Sequence, residues 1–168
     1  MSSLDDSIFQ KVKHYLSKEQ IVLIDDVQYL LKILPKNHIN DHCFLVSSIS
    51  KAYEGYLKNF FYKIGIISAE EHDSDRFRVG KTLNPSLRYK RFSVFQKLSD
   101  LDAFGEELAE TLWDAWKFGR NEIFHYFPKQ IKYLSREEAE NRIHLLLTAI
   151  IKSGKFLEAN KRYTDLIH

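Results

Sequence analysis

Arg120, Asn121 and His125 place a guanidinium, a carboxamide and an imidazole within six consecutive residues. On a helix, Asn121 and His125 are i, i+4 neighbours on one face, and Arg120 flanks that face. Such a set suits chemistry at a phosphodiester. His125 would take a proton from a reacting oxygen or return one, and Arg120 would stabilise charge on the phosphate through its planar fork of donors. With RNA the internal 2′-OH serves as the nucleophile, so the chemistry requires no metal and no other cofactor. The same residues have a plainer use, with Arg120 paired to a nearby carboxylate and His125 hydrogen-bonded at the edge of a helix bundle. Spacing alone favours the plainer use, because residue pairs at this separation are common.

Charge placement adds a second feature. The 168 residues carry 25 Lys and Arg against 23 Asp and Glu, a formal charge of +2, which by itself argues for no polyanionic partner. The distribution is uneven, however. Between Arg76 and Arg91 lie six basic residues, Arg76, Arg78, Lys81, Arg88, Lys90 and Arg91, and no acidic one, interleaved with Phe77 and Tyr89. Basic groups attract a phosphate backbone and aromatic rings stack on unpaired bases, so this stretch is a candidate RNA-binding segment. An acidic protein partner would suit it equally.

Other clusters carry less. His38, Asp41, His42 and Cys43 have the residue types of a metal site, but Pro35 and Asn37 place His38 outside the following helix, so no ligand face is expected. Cys43 is the only cysteine, which excludes an intramolecular disulfide and suits a reducing, cytoplasmic location. It reads as a small, buried apolar residue. The longest apolar stretches, such as Leu145 to Ile151, are too short to span a membrane.

The elements that must position these groups are helical. The chain is 44 % hydrophobic, with 6 Gly and 3 Pro, too apolar for disorder and too poor in turn residues for a many-stranded sandwich. Its length supports one domain, residues 1–168. Ser17-Lys18-Glu19-Gln20 has capping-box spacing and opens a helix with Ile21, Ile24, Val27, Leu31 and Leu34 at helical period, ended by Pro35. A second helix is expected from near Asp41 to Gly65, carrying Lys51, Glu54 and Lys58 on its polar face. From Ser68 to Arg91 the periodicity fades, which predicts a long irregular basic excursion with at most one short helix or hairpin. The stripe Leu101, Phe104, Leu108, Leu112 and Trp116 predicts a third helix, kinked or broken at Gly119, with the segment to Phe127 following before Pro128. A second capping box, Ser135 to Glu138, opens a last helix reaching about Asn160. The predicted architecture is all-α, a bundle of four to five helices with one long basic loop.

The string Arg120-Asn121-x-x-x-His125, set between two amphipathic helices, resembles the Arg-x4–6-His motif of the HEPN superfamily, in which Asn often follows the Arg. Together with the stretch Lys51 to Ile67, which contains Glu54-Gly55-Tyr56-Leu57-Lys58, and with Trp116-Lys117-Phe118-Gly119 leading into it, the string looks most like the C-terminal domain of the RNase LS family of bacterial toxins, over residues 42–151. The resemblance implies a HEPN-like bundle and a metal-independent endoribonuclease with Arg120, His125 and Glu54 catalytic and Lys51 and Asn121 in support. It also implies a homodimer whose two Arg–His pairs face one cleft, and an antitoxin partner in a toxin–antitoxin or antiphage module.

The aromatic residues Trp113, Trp116, Phe118, Phe124, Tyr126 and Phe127 outnumber what one narrow helix face buries, so some would meet a second subunit or other helices of this chain. Glu54 has a plainer use as an i, i+4 ion pair with Lys58. Two departures from the family stand out. The stretch before His42 is short where RNase LS toxins carry further N-terminal domains, and Phe127 stands where HEPN toxins regulated by nucleotidyltransferase antitoxins often carry Tyr. A catalytically silent HEPN-like module that binds RNA or protein is the alternative.

Overall fold

The computed structural model describes residues 4–35, 38–121, 123–124, 132–160 and 162–163. They form an all-α fold with no strand among them. Five helices have eight residues or more: α1 (Asp6–Lys13), α2 (Lys18–Ile33), α3 (Cys43–Lys63), α7 (Gly105–Asp114) and α8 (Arg136–Ala159). Three shorter ones, α4 (Ala69–Asp73), α5 (Val79–Thr82) and α6 (Val94–Ser99), fill the region between α3 and α7. A π-helix, Ala115–Asn121, continues directly from α7.

Helix α3 is the axis of the bundle. It packs against α2, α8, the π-helix, α4 and α5, and its apolar residues, including Leu45, Ile49, Tyr53, Leu57, Phe60 and Phe61, are almost fully buried. Burying that many large side chains supplies most of the stability, at roughly 1.5–3 kcal/mol for each. Two buried hydroxyls on α3 are satisfied by carbonyls of neighbouring helices. Tyr53 donates to the carbonyl of Leu112 at 2.9 Å and Tyr56 to that of Ile150 at 3.3 Å, with Ser153 Oγ 2.8 Å away. Burial pushes both phenols above their ordinary range, so they stay neutral donors. The less buried residues of α3 include Ser47, Ser48, Lys51 and Glu54, while Phe44 and Tyr62 are exposed towards its two ends.

Both predicted capping boxes form. Ser17 Oγ accepts from Gln20 N while Gln20 Oε1 accepts from Ser17 N at 3.0 Å, and Ser135 and Glu138 exchange the same pair of bonds. Gly65 follows α3 with φ 74°, a left-handed conformation that glycine adopts without strain. His38, at φ 87°, lies outside any helix, as Pro35 and Asn37 lead one to expect.

Three features differ from the sequence reading. Helix α1 was not expected; its short apolar face inserts Phe9 and Val12 into the core beside α8. The segment from Ser68 to Arg91 is less irregular than its composition implies. It contains α4, α5 and a 3-10 turn at Pro85–Leu87, and Val79, Thr82 and Leu83 are anchored in the core. The third helix starts at Gly105 rather than Leu101, and Phe104 is 68 % exposed. The cause is close packing: a Cβ at Gly105 would collide with the carbonyl of Leu98, so α6 and α7 meet backbone to backbone around a turn in which Asp102 Oδ1 accepts from Phe104 N. No helix among the described residues is long and apolar enough to cross a membrane.

Candidate phosphodiester site

The π-helix decides where Arg120 points. Gly119 faces Leu146 of α8 so closely that a Cβ there would lie 2.6 Å from the leucine Cγ, and Arg142 Nη1 donates to the carbonyl of Phe118. One wider turn, packed on α8 by its glycine, carries Arg120 across to α3 instead of breaking the helix; single π-turns of this kind recur at functional sites.

There the guanidinium is held on several sides. Arg120 Nη2 donates to Glu54 Oε2 at 2.7 Å. Its carbon Cζ lies 4.3 Å from the centroid of the Trp116 ring and 5.4 Å from that of Phe124. Trp116 is only 4 % exposed, whereas Phe124 is 53 % exposed, so the inner ring is fixed by packing and the outer one faces solvent. Arg120 Nε is buried and has no hydrogen-bond partner among the described residues. A guanidinium packed on aromatic rings and paired with a carboxylate loses little freedom when it meets a phosphate.

An open cleft of about 330 Å³ lies beside this arrangement, lined by Ser47, Ser48, Lys51, Glu54, Arg120 and Phe124. Lys51 sits one helical turn before Glu54 and is exposed. Two cations and one carboxylate leave the cleft with a net charge of +1, suited to an anion. The structure thus brings together Arg120, Glu54 and Lys51. Glu54 does not use Lys58, whose Nζ donates to the carbonyl of Ser74 at 3.3 Å. His125 and the side chain of Asn121 lie outside the described residues, as do Tyr126 and Phe127.

Among the aromatic residues near the motif, Trp116 is core and Trp113 packs partly against it, while Phe118 and Phe124 remain exposed. The six basic residues from Arg76 to Arg91 are all exposed, but they are not equivalent. Arg88 is engaged: Nη1 and Nη2 bind both carboxylate oxygens of Glu106 at 3.0 and 3.1 Å, and Nε donates to Gln96 Oε1 at 2.8 Å. Arg78 donates to the carbonyl of Asp75, Lys81 lies over Phe92 and Lys90 over Tyr89.

The residues before α3 serve the fold. Asp41 Oδ1 accepts from the backbone N–H of Cys43 and of Leu134, and the buried His42 has Nδ1 3.3 Å from the Leu134 carbonyl. Burial pushes the Cys43 thiol up to about 11, with Asp41 adding to the shift, so it remains protonated and is a poor nucleophile at neutral pH.

The chain matches no protein-family model, no curated protein and no solved structure. Its chemistry is therefore read from the site itself. The sequence reading places Trp116 on a core stripe without assigning it to the arginine site, whose inner wall it forms, and passes over Ser47 and Ser48 at the rim of the cleft.

Proposed function

We propose that the protein is a metal-independent, HEPN-like endoribonuclease of the cytoplasm, acting as the toxin of a toxin–antitoxin or antiphage defence module. The observation that carries the reading is the meeting of Arg120 with Glu54 at 2.7 Å, across 66 positions of sequence, in an open cleft that also holds Lys51. A surface arginine needs no aromatic clamp and no cleft. A phosphate-binding arginine benefits from both.

The 2′-OH of a ribose is activated by His125 as general base and attacks the adjacent phosphorus. Negative charge grows on the non-bridging oxygens, where the guanidinium of Arg120 and the ammonium of Lys51 stabilise it. The 5′-oxygen of the next nucleotide departs and takes up a proton, leaving a 2′,3′-cyclic phosphate and a 5′-hydroxyl. In a homodimer two Arg120–His125 pairs share the cleft, so one imidazole removes the proton while the other supplies it. Glu54 acts through Arg120, whose orientation it holds, rather than as a proton carrier. Asn121 supports the geometry of the motif.

The basic segment guides the strand to the cleft, with Arg76, Lys81 and Arg91 contributing more than Arg88, whose charge is already met by Glu106. Replacing Arg76, Lys81 and Arg91 together by Ala is expected to weaken single-stranded RNA binding and to flatten the log–log dependence of affinity on salt by about 2. The same slope in the triple variant and the native protein would remove the segment from the RNA path and leave it as a docking surface for an acidic antitoxin.

Incubating the purified protein with total RNA and a chelator tests the function. Cleavage that persists in chelator is the expected result. Retention of RNA on the protein without fragments at any protein concentration would replace the enzyme by a binding module.

A further inference from the structure

We infer that Trp116 is the positioning residue of this site, its indole setting the plane of the Arg120 guanidinium, and that Gly80 lets the basic segment bear directly on that indole. The inference rests on the proposed phosphate-binding role of Arg120. Two observations made at different places carry it. On one side, Arg120 Cζ lies 4.3 Å from the Trp116 ring centroid, closer than to Phe124, and the indole is 4 % exposed. On the other, a Cβ at Gly80 would lie 2.9 Å from Trp116 Cε2, 3.0 Å from Cζ2 and closer still to Nε1. Only a hydrogen fits between the backbone of α5 and the edge of the indole.

The location of Gly80 gives this contact its meaning. It lies in α5, within the basic stretch, next to Lys81 and two positions after Arg78. Neighbours Val79 and Thr82 are buried, so α5 cannot retreat from the indole without leaving the core. The segment that would track a phosphate backbone and the arginine that would bind the scissile phosphate therefore share one side chain. A methyl group at Gly80 has to move the indole, and the guanidinium stacked on it moves as well. Misplacing a charge-stabilising group by about 1 Å costs on the order of 10²-fold in rate.

The test pairs Gly80→Ala with the double substitution Gly80→Ala, Trp116→Phe. Phenylalanine lacks the indole edge that the added methyl would strike, yet keeps a ring against the guanidinium. The first readout is the Nε–Hε resonance of Arg120 in ¹⁵N-labelled full-length protein, assigned by its loss in Arg120→Lys. In native protein it is displaced by the ring current of Trp116; Gly80→Ala shifts it towards solvated arginines, and the double variant displaces it again in the native direction, by less, through the weaker ring current of the phenylalanine. The second is cleavage. Gly80→Ala is expected to lower kcat about 10²-fold with KM nearly unchanged, and the double variant to recover most of the loss.

An Arg120 resonance unmoved by Gly80→Ala would overturn the inference, as would a double variant no better than the single one. If native protein cleaves no RNA, the ribonuclease reading fails. The resonance and its rescue then still decide whether Gly80 and Trp116 set the guanidinium.

Discussion

Arg120→Ala is expected to reduce RNA cleavage by about 10³-fold or more while leaving the helical content and thermal midpoint close to native. The size follows from what is removed. A single donor to a developing oxyanion is worth on the order of 10²–10³ in kcat, and a guanidinium presents several donors together with a full charge. The small stability cost follows from exposure. The Arg120 and Glu54 side chains are 29 % and 32 % exposed, so the pair is part-buried yet still reached by solvent, and losing it with the contact to Trp116 costs about 1 kcal/mol. Arg120→Lys sharpens the test, because it keeps the charge and loses the planar fork and the flat face on Trp116; activity well below native, yet above that of the alanine variant, is expected. His125→Ala is expected to lose about 10²–10⁴-fold by removing proton transfer, and both alanine variants should relieve growth inhibition on expression. Full cleavage by either one would sink the assignment.

Phe60→Ala is expected to have the largest effect on stability, about 3–5 kcal/mol. Phe60 is 1 % exposed on the axial helix α3, its ring 6.0 Å from that of Tyr56 and 5.9 Å from that of Phe61. Truncation leaves a void among groups already fixed by neighbouring helices, so collapse into it is limited. Against a total of roughly 5–15 kcal/mol for a domain, the loss should lower the thermal midpoint by about 6–20 °C. A shift of only a degree or two in a calorimetric melt would show that α3 is not the centre of the core.

Local chemistry was legible in the chain, and long-range chemistry was not. Ser17 to Gln20 and Ser135 to Glu138 announce helix starts because the capping box is closed by residues three apart, and Gly65 announces the end of α3 by its conformational freedom. Helix α1 has local signals of its own, the cap Asp5 and an apolar face of Ile8, Phe9 and Val12 at helical spacing, which the sequence reading passes over. The start of α7 was misplaced because Gly105 answers to the backbone of Leu98, a neighbour that no periodicity of α7 reveals. The π-helix has the same origin, since Gly119 suggests a break and only Leu146 explains a widened turn.

The site follows the same rule. Arg120, Glu54 and Lys51 were picked out by residue type and by likeness to HEPN motifs, but the ion pair between the first two spans α3 and the π-helix, and no spacing encodes it. The pairing of Arg88 with Glu106, which removes one cation from the open basic set, is equally a product of folding. So is Trp116, whose place on the stripe of the third helix suits any core position. Its contact with the guanidinium has the i, i+4 spacing of helical neighbours, but its burial against Gly80 of α5 is a long-range contact that no spacing reveals.

The chemical ends of the RNA fragments made in the presence of a chelator test the central claim most directly. Attack by the internal 2′-OH at a site built from Arg120 and His125 predicts 2′,3′-cyclic phosphate on one fragment and 5′-hydroxyl on the other. Fragments ending in 3′-hydroxyl and 5′-phosphate would mean that water or another external nucleophile attacks, and would contradict the account.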